Sequence, residues 1–270
     1  MPTLTKDTTL CISLSGRPSN LGTRFHNFLY DELGLPFAYK AFSTDDLEGA
    51  VRGVRALGIR GCSVSMPFKT AILPFVDELE PSASAIRAVN TVVNEGGVLR
   101  AANTDYEAVE QLLERHGVPT DARVLVRGSG GMANAVVAAF RGAGFDRLTV
   151  LARNEQAGRS LADRYGFRFT SEADGEFDLL VNVTPLGMAG ADADVLAFDP
   201  GLLRGAQRVF DVVALPEETP LIRAARAAGI PVITGAEVHA LQAALQFERY
   251  TGVRLTRNQV EAASAFSRLQ

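Results

Sequence analysis

The chain has 270 residues, 47% of them hydrophobic, with a net charge of −4 and a pI near 5.5. That is enough for two compact lobes or one large α/β unit, and the acidic balance argues against nucleic acid or an anionic membrane as partner. Cys11 and Cys62 are too few for a disulfide framework, and His26, His116 and His239 show no metal-ligand spacing, so neither a disulfide scaffold nor a metal site is expected. The start, Met1 to Asp7, lacks the basic and apolar segments of a signal peptide, and no apolar run reaches bilayer length. A reduced, cytoplasmic setting is the expectation.

Leu10 to Ser15 reads as a first strand, followed by the loop Gly16 to Asn20, with Ser19 or Asn20 available as a helix cap. Phe25, Phe28, Leu29 and Leu33 recur at helical spacing over Thr23 to Leu33, and Gly34 ends that helix. Phe37 to Phe42 is a second strand. Thr44 to Leu57 is a capped helix with Leu47, Val51, Val54 and Leu57 on one face. Gly61 to Ser65 is a third strand, and Pro67 opens a short helix through Phe75. This alternation predicts a mainly parallel sheet. Val89 to Val93 and Val98 to Ala102 form a hairpin around Asn94-Glu95-Gly96-Gly97, and a helix from about Tyr106 to His116 follows.

The stretch Val124 to Arg153 is the most informative. An apolar run, Val124 to Val126, leads into Gly128-Ser129-Gly130-Gly131-Met132-Ala133, then a helix from Asn134 to Ala143 and a second apolar run, Leu148 to Leu151. Strand, glycine turn, helix and strand in about the length of one βαβ unit is the pattern of a dinucleotide site. Gly128 permits the turn, Gly130 lets a pyrophosphate approach the backbone, and Ala133 lets the helix lie close to the strand. The helix N-terminus offers N–H groups to the phosphates. A structural turn is the competing reading. Arg153 follows the second strand where NAD sites usually carry an acid, which points to the 2′-phosphate of NADP; a solvated surface arginine is the bland alternative.

Beyond Arg153 the pattern gives a helix from Gln156 to Tyr165 and strands near Phe167 to Phe169, Leu179 to Val183, Val209 to Val213 and Val232-Ile233. A helix from Pro220 to Ala228 lies among them. From Ala236 the chain is helical to its end, divided by Gly252. The last helix could complete the nucleotide lobe or return to the first.

Two polar features of the first half could carry chemistry. Lys69 stands just past the third strand, where open α/β sheets place ligands, although an exposed helix lysine would look the same. Asn90-Thr91 and Asn103-Thr104-Asp105 set polar side chains beside apolar strands, which suits either a ligand or a helix cap.

Taken in order, Gly61 to Lys69, Ala88 to Thr91, Asn103 to Asp105, Gly128 to Ala133, Asn182 to Met188, Asp211 to Pro216 with Thr219 to Leu221, and Gly235 to Gln242 with Tyr250 to Gly252 resemble the shikimate dehydrogenase family, most closely its "shikimate dehydrogenase-like" branch. The resemblance implies an α/β protein of two lobes. An N-terminal substrate-binding lobe (1–104, completed by helices in 236–270) would carry a mainly parallel sheet, and a Rossmann lobe (105–235) would bind NADP. It implies reversible hydride transfer between NADPH and 3-dehydroshikimate, giving shikimate, a step of aromatic amino-acid biosynthesis in the chorismate pathway. Lys69 and Asp105 would be the catalytic pair. Ser65, Asn90, Asp105 and Gln242 would contact substrate, and the cofactor would meet Gly128, Ser129, Gly130, Gly131, Met132, Arg153, Thr184, Val212 and Gly235. A carboxylate beside an ammonium favours its protonated form, so Asp105 suits orienting Lys69 more than activating it as a base. The partner would be a small molecule, with no nucleic acid and no membrane, and the chain a monomer or homodimer.

Two departures stand out. The serine pair that holds the substrate carboxylate in the family is replaced by Asn20 and Gly22, leaving Ser13, Ser15, Ser19 or Thr23 as substitutes. Ala214 stands where the family carries a tyrosine. Weak activity on shikimate, a related substrate such as quinate or an aminated analogue, or a catalytically quiet NADP-binding sensor are the outcomes these changes suggest. A folate-type dehydrogenase would explain Lys69 but not Asn103 to Asp105 together with Gly235 to Gln242.

Overall fold

The computed structural model describes residues 4–269. The chain forms two compact units, one holding the residues up to 104 and those from 240 onward, the other residues 105–239.

In the first unit, β1 (Thr9–Leu14), α1 (Leu21–Glu32), β2 (Phe37–Phe42), α2 (Leu47–Ala56) and β3 (Gly61–Val64) alternate as their patterns predict. After β3 come α3 (Phe68–Ala71) with a 3₁₀ turn at Leu73–Phe75, β4 (Glu78–Leu79), α4 (Pro81–Ile86), β5 (Thr91–Glu95) and β6 (Val98–Ala102). The sheet order is β2-β1-β3-β5-β6-β4. Only β5 runs against the others, because it pairs antiparallel with both β3 and β6. The hairpin turn between β5 and β6 uses positive φ at Gly96 and Gly97, and the Asn94 side chain accepts the Gly97 N–H at 2.8 Å.

Alternation along the strands gives the sheet two cores. Ile12, Leu14, Cys62, Val64 and Val92 face α2, with Val51 and Val54. Cys11, Tyr39 and Val93 face a second cluster made by Phe25, Leu29 and Tyr30 of α1 with Phe247 and Tyr250 further along the chain. Cys11 and Cys62 therefore belong to opposite faces, and both are free thiols.

In the second unit α5 (Thr104–Arg115) leads to β7 (Val124–Arg127), α6 (Gly131–Gly142), β8 (Leu148–Leu151), α7 (Glu155–Tyr165) and β9 (Arg168–Thr170). Then come β10 (Leu179–Asn182), α8 (Pro200–Gly205), β11 (Arg208–Asp211), α9 (Pro220–Ala227) and β12 (Val232–Ile233). All ladders are parallel, in the order β12-β11-β10-β7-β8-β9. The chain steps outward from β7 to β9, returns beside β7 as β10, and steps outward the other way. The β7/β10 boundary is thus the point where strand order reverses. α10 (Gly235–Thr251) begins in this unit and continues into the first, and α11 (Arg257–Ser267) packs on α1.

Several boundaries move for identifiable reasons. The second helix starts at Leu47, not near Thr44, because Asp46 is its cap, accepting the Gly49 N–H at 2.7 Å. Asn20 precedes α1 but its side chain makes no cap bond. The helix expected from Pro67 to Phe75 is two short pieces. The C-terminal helical region divides at Gly252 as expected, with φ of +74°, and restarts with a capping box between Thr256 and Gln259. β4, α4 and α8 carry no periodicity that their length could express, and sequence reading passed over them. No helix among the described residues is long and apolar enough to cross a membrane.

Candidate functional site

The first unit collects its polar residues along one edge of the sheet. Ser65 follows β3, Asn90 precedes β5, and Thr104 follows β6 at the start of α5. Because β5 is reversed, its beginning lies at the same edge as the ends of β1, β3 and β6. Open α/β sheets bind ligands beyond that edge. Lys69 lies half-buried in α3, and its carbonyl accepts the Val89 N–H at 2.7 Å, which fixes it beside Asn90 in the backbone. Ser65 is exposed.

Asn90 is 3% exposed and is the centre of a buried network. Its Nδ2 donates to Thr104 Oγ1 at 3.0 Å, and its Oδ1 accepts from the Thr104 N–H and the Thr91 hydroxyl, both at 2.8 Å. The Thr104 hydroxyl also reaches Gln242 Oε1 at 3.4 Å. Gln246, one turn further along α10, donates Nε2 to Ser63 Oγ at 3.2 Å, to the Asn90 carbonyl at 3.2 Å and to Thr91 Oγ1 at 3.0 Å. Buried polar groups are costly unless paired, and here each is held by another. The sequence reading missed Gln246. Its signal was the four-residue spacing from Gln242, which puts both amides on one helix face. Asp105 is 9% exposed in the first turn of α5, a position that also suits a carboxylate beside the helix dipole.

Among the residues expected to substitute for the missing pair, Ser15 is already engaged. The Ser15 hydroxyl donates to the Met66 carbonyl at 3.4 Å and accepts the Arg17 N–H at 3.1 Å. Burial pushes the pKa of the Tyr39 phenol up, and the Ser13 and Ser63 hydroxyls work against that shift. The Ser15 hydroxyl thereby ties its own loop to the loop after β3.

In the second unit a cavity of about 1040 Å³ opens beyond the ends of β7, β8 and β10, at the reversal of strand order. Gly128, Ser129, Gly130, Arg153 and Thr184 line it, as do Arg127, Asn154, Leu186 and Phe198. Gly131, Met132, Val212 and Gly235 lie outside that lining. The glycines differ in kind. Gly128 has φ of +129°, and a Cβ there would lie 2.8 Å from Val183 Cγ2. Gly130 has φ of −81°, and a Cβ there, as at Gly131, would meet nothing within 4 Å. The fold needs the first; the open space over the others is a cradle in front of the α6 N-terminus. At Gly235 a Cβ would lie 2.3 Å from the Val213 backbone, so packing alone demands that glycine.

Below the cavity, Asn182 and Asp211 are fully buried. Asn182 Nδ2 donates to Asp211 Oδ1 at 3.0 Å, and its Oδ1 accepts from the Thr184 hydroxyl at 2.6 Å and the Thr184 N–H at 3.1 Å. The Thr219 hydroxyl donates to Asp211 Oδ2 at 2.7 Å. Burial raises the Asp211 pKa against the lowering effect of these donors. The network shapes the loop that carries Thr184. Arg153 is exposed at the end of β8, and Asn154 caps α7 through the Ala157 N–H at 3.0 Å.

Comparison with known proteins agrees with both halves. A family model described as the shikimate dehydrogenase substrate binding domain matches residues 19–92. A shikimate dehydrogenase-like protein of Haemophilus influenzae is 54% identical over 98% of both chains, and a shikimate dehydrogenase (NADP(+)) of Chlorobaculum tepidum is 40% identical over 85% of both. Among solved structures, a shikimate 5-dehydrogenase-like protein superposes with a TM-score of 0.97 at 54% identity, covering 99% of this chain and 100% of the other. Thermus thermophilus shikimate 5-dehydrogenase in complex with NADP(H) and shikimate gives 0.86 at 32% identity over 96% and 99%. A quinate dehydrogenase of Corynebacterium glutamicum in complex with NAD gives 0.85 at 27% identity over 96% and 98%. With two relatives above 30% identity along most of its length, a sheet reversal that opens a glycine-lined cavity and a polar cluster at its other sheet's edge, this chain belongs to the shikimate dehydrogenase family.

Proposed function

We propose that this protein is an NADP-dependent oxidoreductase that interconverts 3-dehydroshikimate, or a close analogue, with its ring alcohol. The observation that carries the reading is the cavity at the β7/β10 boundary. Its wall combines a ligand-sized opening over Gly130 with Arg153, and among the wall positions no acid follows β8 directly. Bound NADPH supplies the hydride for the ketone.

The protein's own groups do the rest. The N–H groups at the start of α6 receive the pyrophosphate, and Arg153 receives the 2′-phosphate. Lys69 gives its proton to the oxygen on which charge builds during reduction, and recovers it in the reverse direction. Asp105 orients Lys69 and accepts a hydrogen bond from a ring hydroxyl. Asn90 and Gln242, held by Thr104, bind further hydroxyls, and Ser65 adds an exposed one. These roles rest on motif similarity together with the clustering of Asn90, Thr104 and Gln242.

The engagement of Ser15, with Ala214 in place of an aromatic hydroxyl, favours a substrate that differs from shikimate at its carboxylate side. A site that lacks a hydrogen-bonding group for part of its substrate discriminates poorly there. The test is a panel of shikimate, quinate and aminated shikimate analogues, each with NADP⁺ and NAD⁺, followed by reduced-cofactor absorbance. Turnover of at least one cyclic alcohol with NADP⁺ preferred is the expected result. NADP⁺ binding with no turnover on any of them would replace the enzyme reading with a sensor.

A further inference from the structure

Arg127 ends a strand that is otherwise Val124-Leu125-Val126, and a sheet needs no charge there. Register sets it between Leu151 of β8 and Asn182 of β10, at the reversal itself. Strand alternation puts it on the same face as Leu125, whose core includes Phe198 and Leu203. Its side chain crosses that face and donates Nη1 to the Ala197 carbonyl. The residue is half-buried and lines the same cavity as Arg153.

Two guanidinium groups therefore face one cavity. Asp192 and Asp199 also line it, Asp199 capping α8 through the Gly201 N–H, yet among the described residues neither arginine forms an ion pair with a carboxylate. Burial lowers the Arg127 pKa, and the charge of Arg153 lowers it further. Holding two like charges around a partly dry space is unfavourable unless something of opposite charge offsets it. The start of α6 already offers N–H groups for a pyrophosphate. A second anion, carried close to Arg153, is what the pair of forks suits: a phosphate monoester has three terminal oxygens and up to two negative charges, and planar guanidinium groups bind such oxygens two at a time.

We infer that Arg127 is a cofactor-selecting residue that joins Arg153 on the 2′-phosphate of NADP. The inference rests on the NADP reading above and deepens it, since it assigns selectivity to a strand residue beneath the cavity as well as to the loop arginine above β8.

Calorimetric titration of NADP⁺ and of NAD⁺ into the wild type, Arg127→Leu, Arg127→Lys and Arg153→Ala tests it without reference to activity. Arg127→Leu is expected to weaken NADP⁺ about ten- to hundredfold, the scale of a lost charge-assisted contact. NAD⁺ affinity should stay within about threefold, because that cofactor has no 2′-phosphate. Arg127→Lys keeps the charge, loses the fork and should fall between. Equal weakening of both cofactors would overturn the inference and point to stacking on the shared adenine or to a packing role. Unchanged NADP⁺ affinity in Arg127→Leu, with selectivity lost in Arg153→Ala, would overturn it while leaving the NADP reading intact. A wild type that binds both cofactors alike would remove both. Should Arg127→Leu not fold, Arg127→Lys decides by the same criterion: NADP⁺ alone weakened supports it, both weakened equally refutes it.

Discussion

Replacing Gly130 with alanine puts a methyl group at the N-cap of α6. The backbone there, with φ of −81° and ψ of −170°, is open to any residue, and the new Cβ meets no atom within 4 Å. Alanine is a poorer N-cap than glycine by up to about 1 kcal/mol. Its lower unfolded-state entropy offsets roughly 0.4–1 kcal/mol. Net stability should therefore move by about 1 kcal/mol or less, which is about 2–4 °C in thermal midpoint for a chain of this size. Cofactor binding should respond differently, because the methyl group fills the space through which a phosphate reaches the α6 amides. Losing one hydrogen bond to a charged group costs about 1.5–3 kcal/mol, which is roughly ten- to 150-fold in NADP⁺ affinity. Gly128→Ala is the matched contrast. Its φ of +129° and the 2.8 Å approach to Val183 Cγ2 make it a fold glycine, and a stability loss of about 1–3 kcal/mol is expected. Thermal unfolding and calorimetric titration with NADP⁺ on both variants provide the comparison. Gly130→Ala binding NADP⁺ within twofold of wild type would refute the assignment of the open cradle to the cofactor.

Lys69→Ala is expected to lower turnover by about 10²–10⁴-fold, the usual contribution of a positioned acid–base group; steady-state kinetics on the best substrate of the panel would read it, and near wild-type turnover would remove Lys69 from the chemistry. Gly61→Ala would drive a Cβ to 2.3 Å from the buried Tyr250 ring. It should cost about 1–3 kcal/mol by overpacking, seen as a lower urea midpoint. The Asp178 carboxyl pKa is lowered, chiefly by the Arg123 guanidinium at 3.0 Å and 3.1 Å and by the Arg123 N–H at 2.8 Å. A depressed folded pKa adds stability that is present above the unfolded value of about 3.9 and is lost as pH falls through the folded value. Asp178→Asn should accordingly be less stable than wild type at pH 7 by on the order of 1 kcal/mol, with the gap shrinking below about pH 4; an equal gap at pH 7 and pH 3 in urea titrations would contradict the pairing.

Local chemistry explains why so much of the fold was legible from the sequence. β2, β8 and β12 need only an apolar run and a breaker, and α7 needs Asn154 in front and Gly166, at φ of +71°, behind. The glycine turn between β7 and α6 is likewise written in consecutive residues, so a dinucleotide cradle could be named before any coordinates. Segments too short for a period, such as β4 and α8, could not be named in this way.

What only the tertiary structure decided are the relations between distant residues. Asn90, Thr104 and Gln242 are far apart in sequence, and nothing local says that their side chains share hydrogen bonds. Ser15 reads as a candidate ligand hydroxyl, and only the fold brings the Met66 carbonyl to it. That Gly235 must be glycine for packing shows only once the Val213 backbone is found against it. Arg127 carries no mark of its own in the sequence, and strand order alone places it under the cavity with Arg153. A backbone conformation is set by neighbours in the chain, whereas a hydrogen bond, a clash or a shared charge is set by neighbours in space.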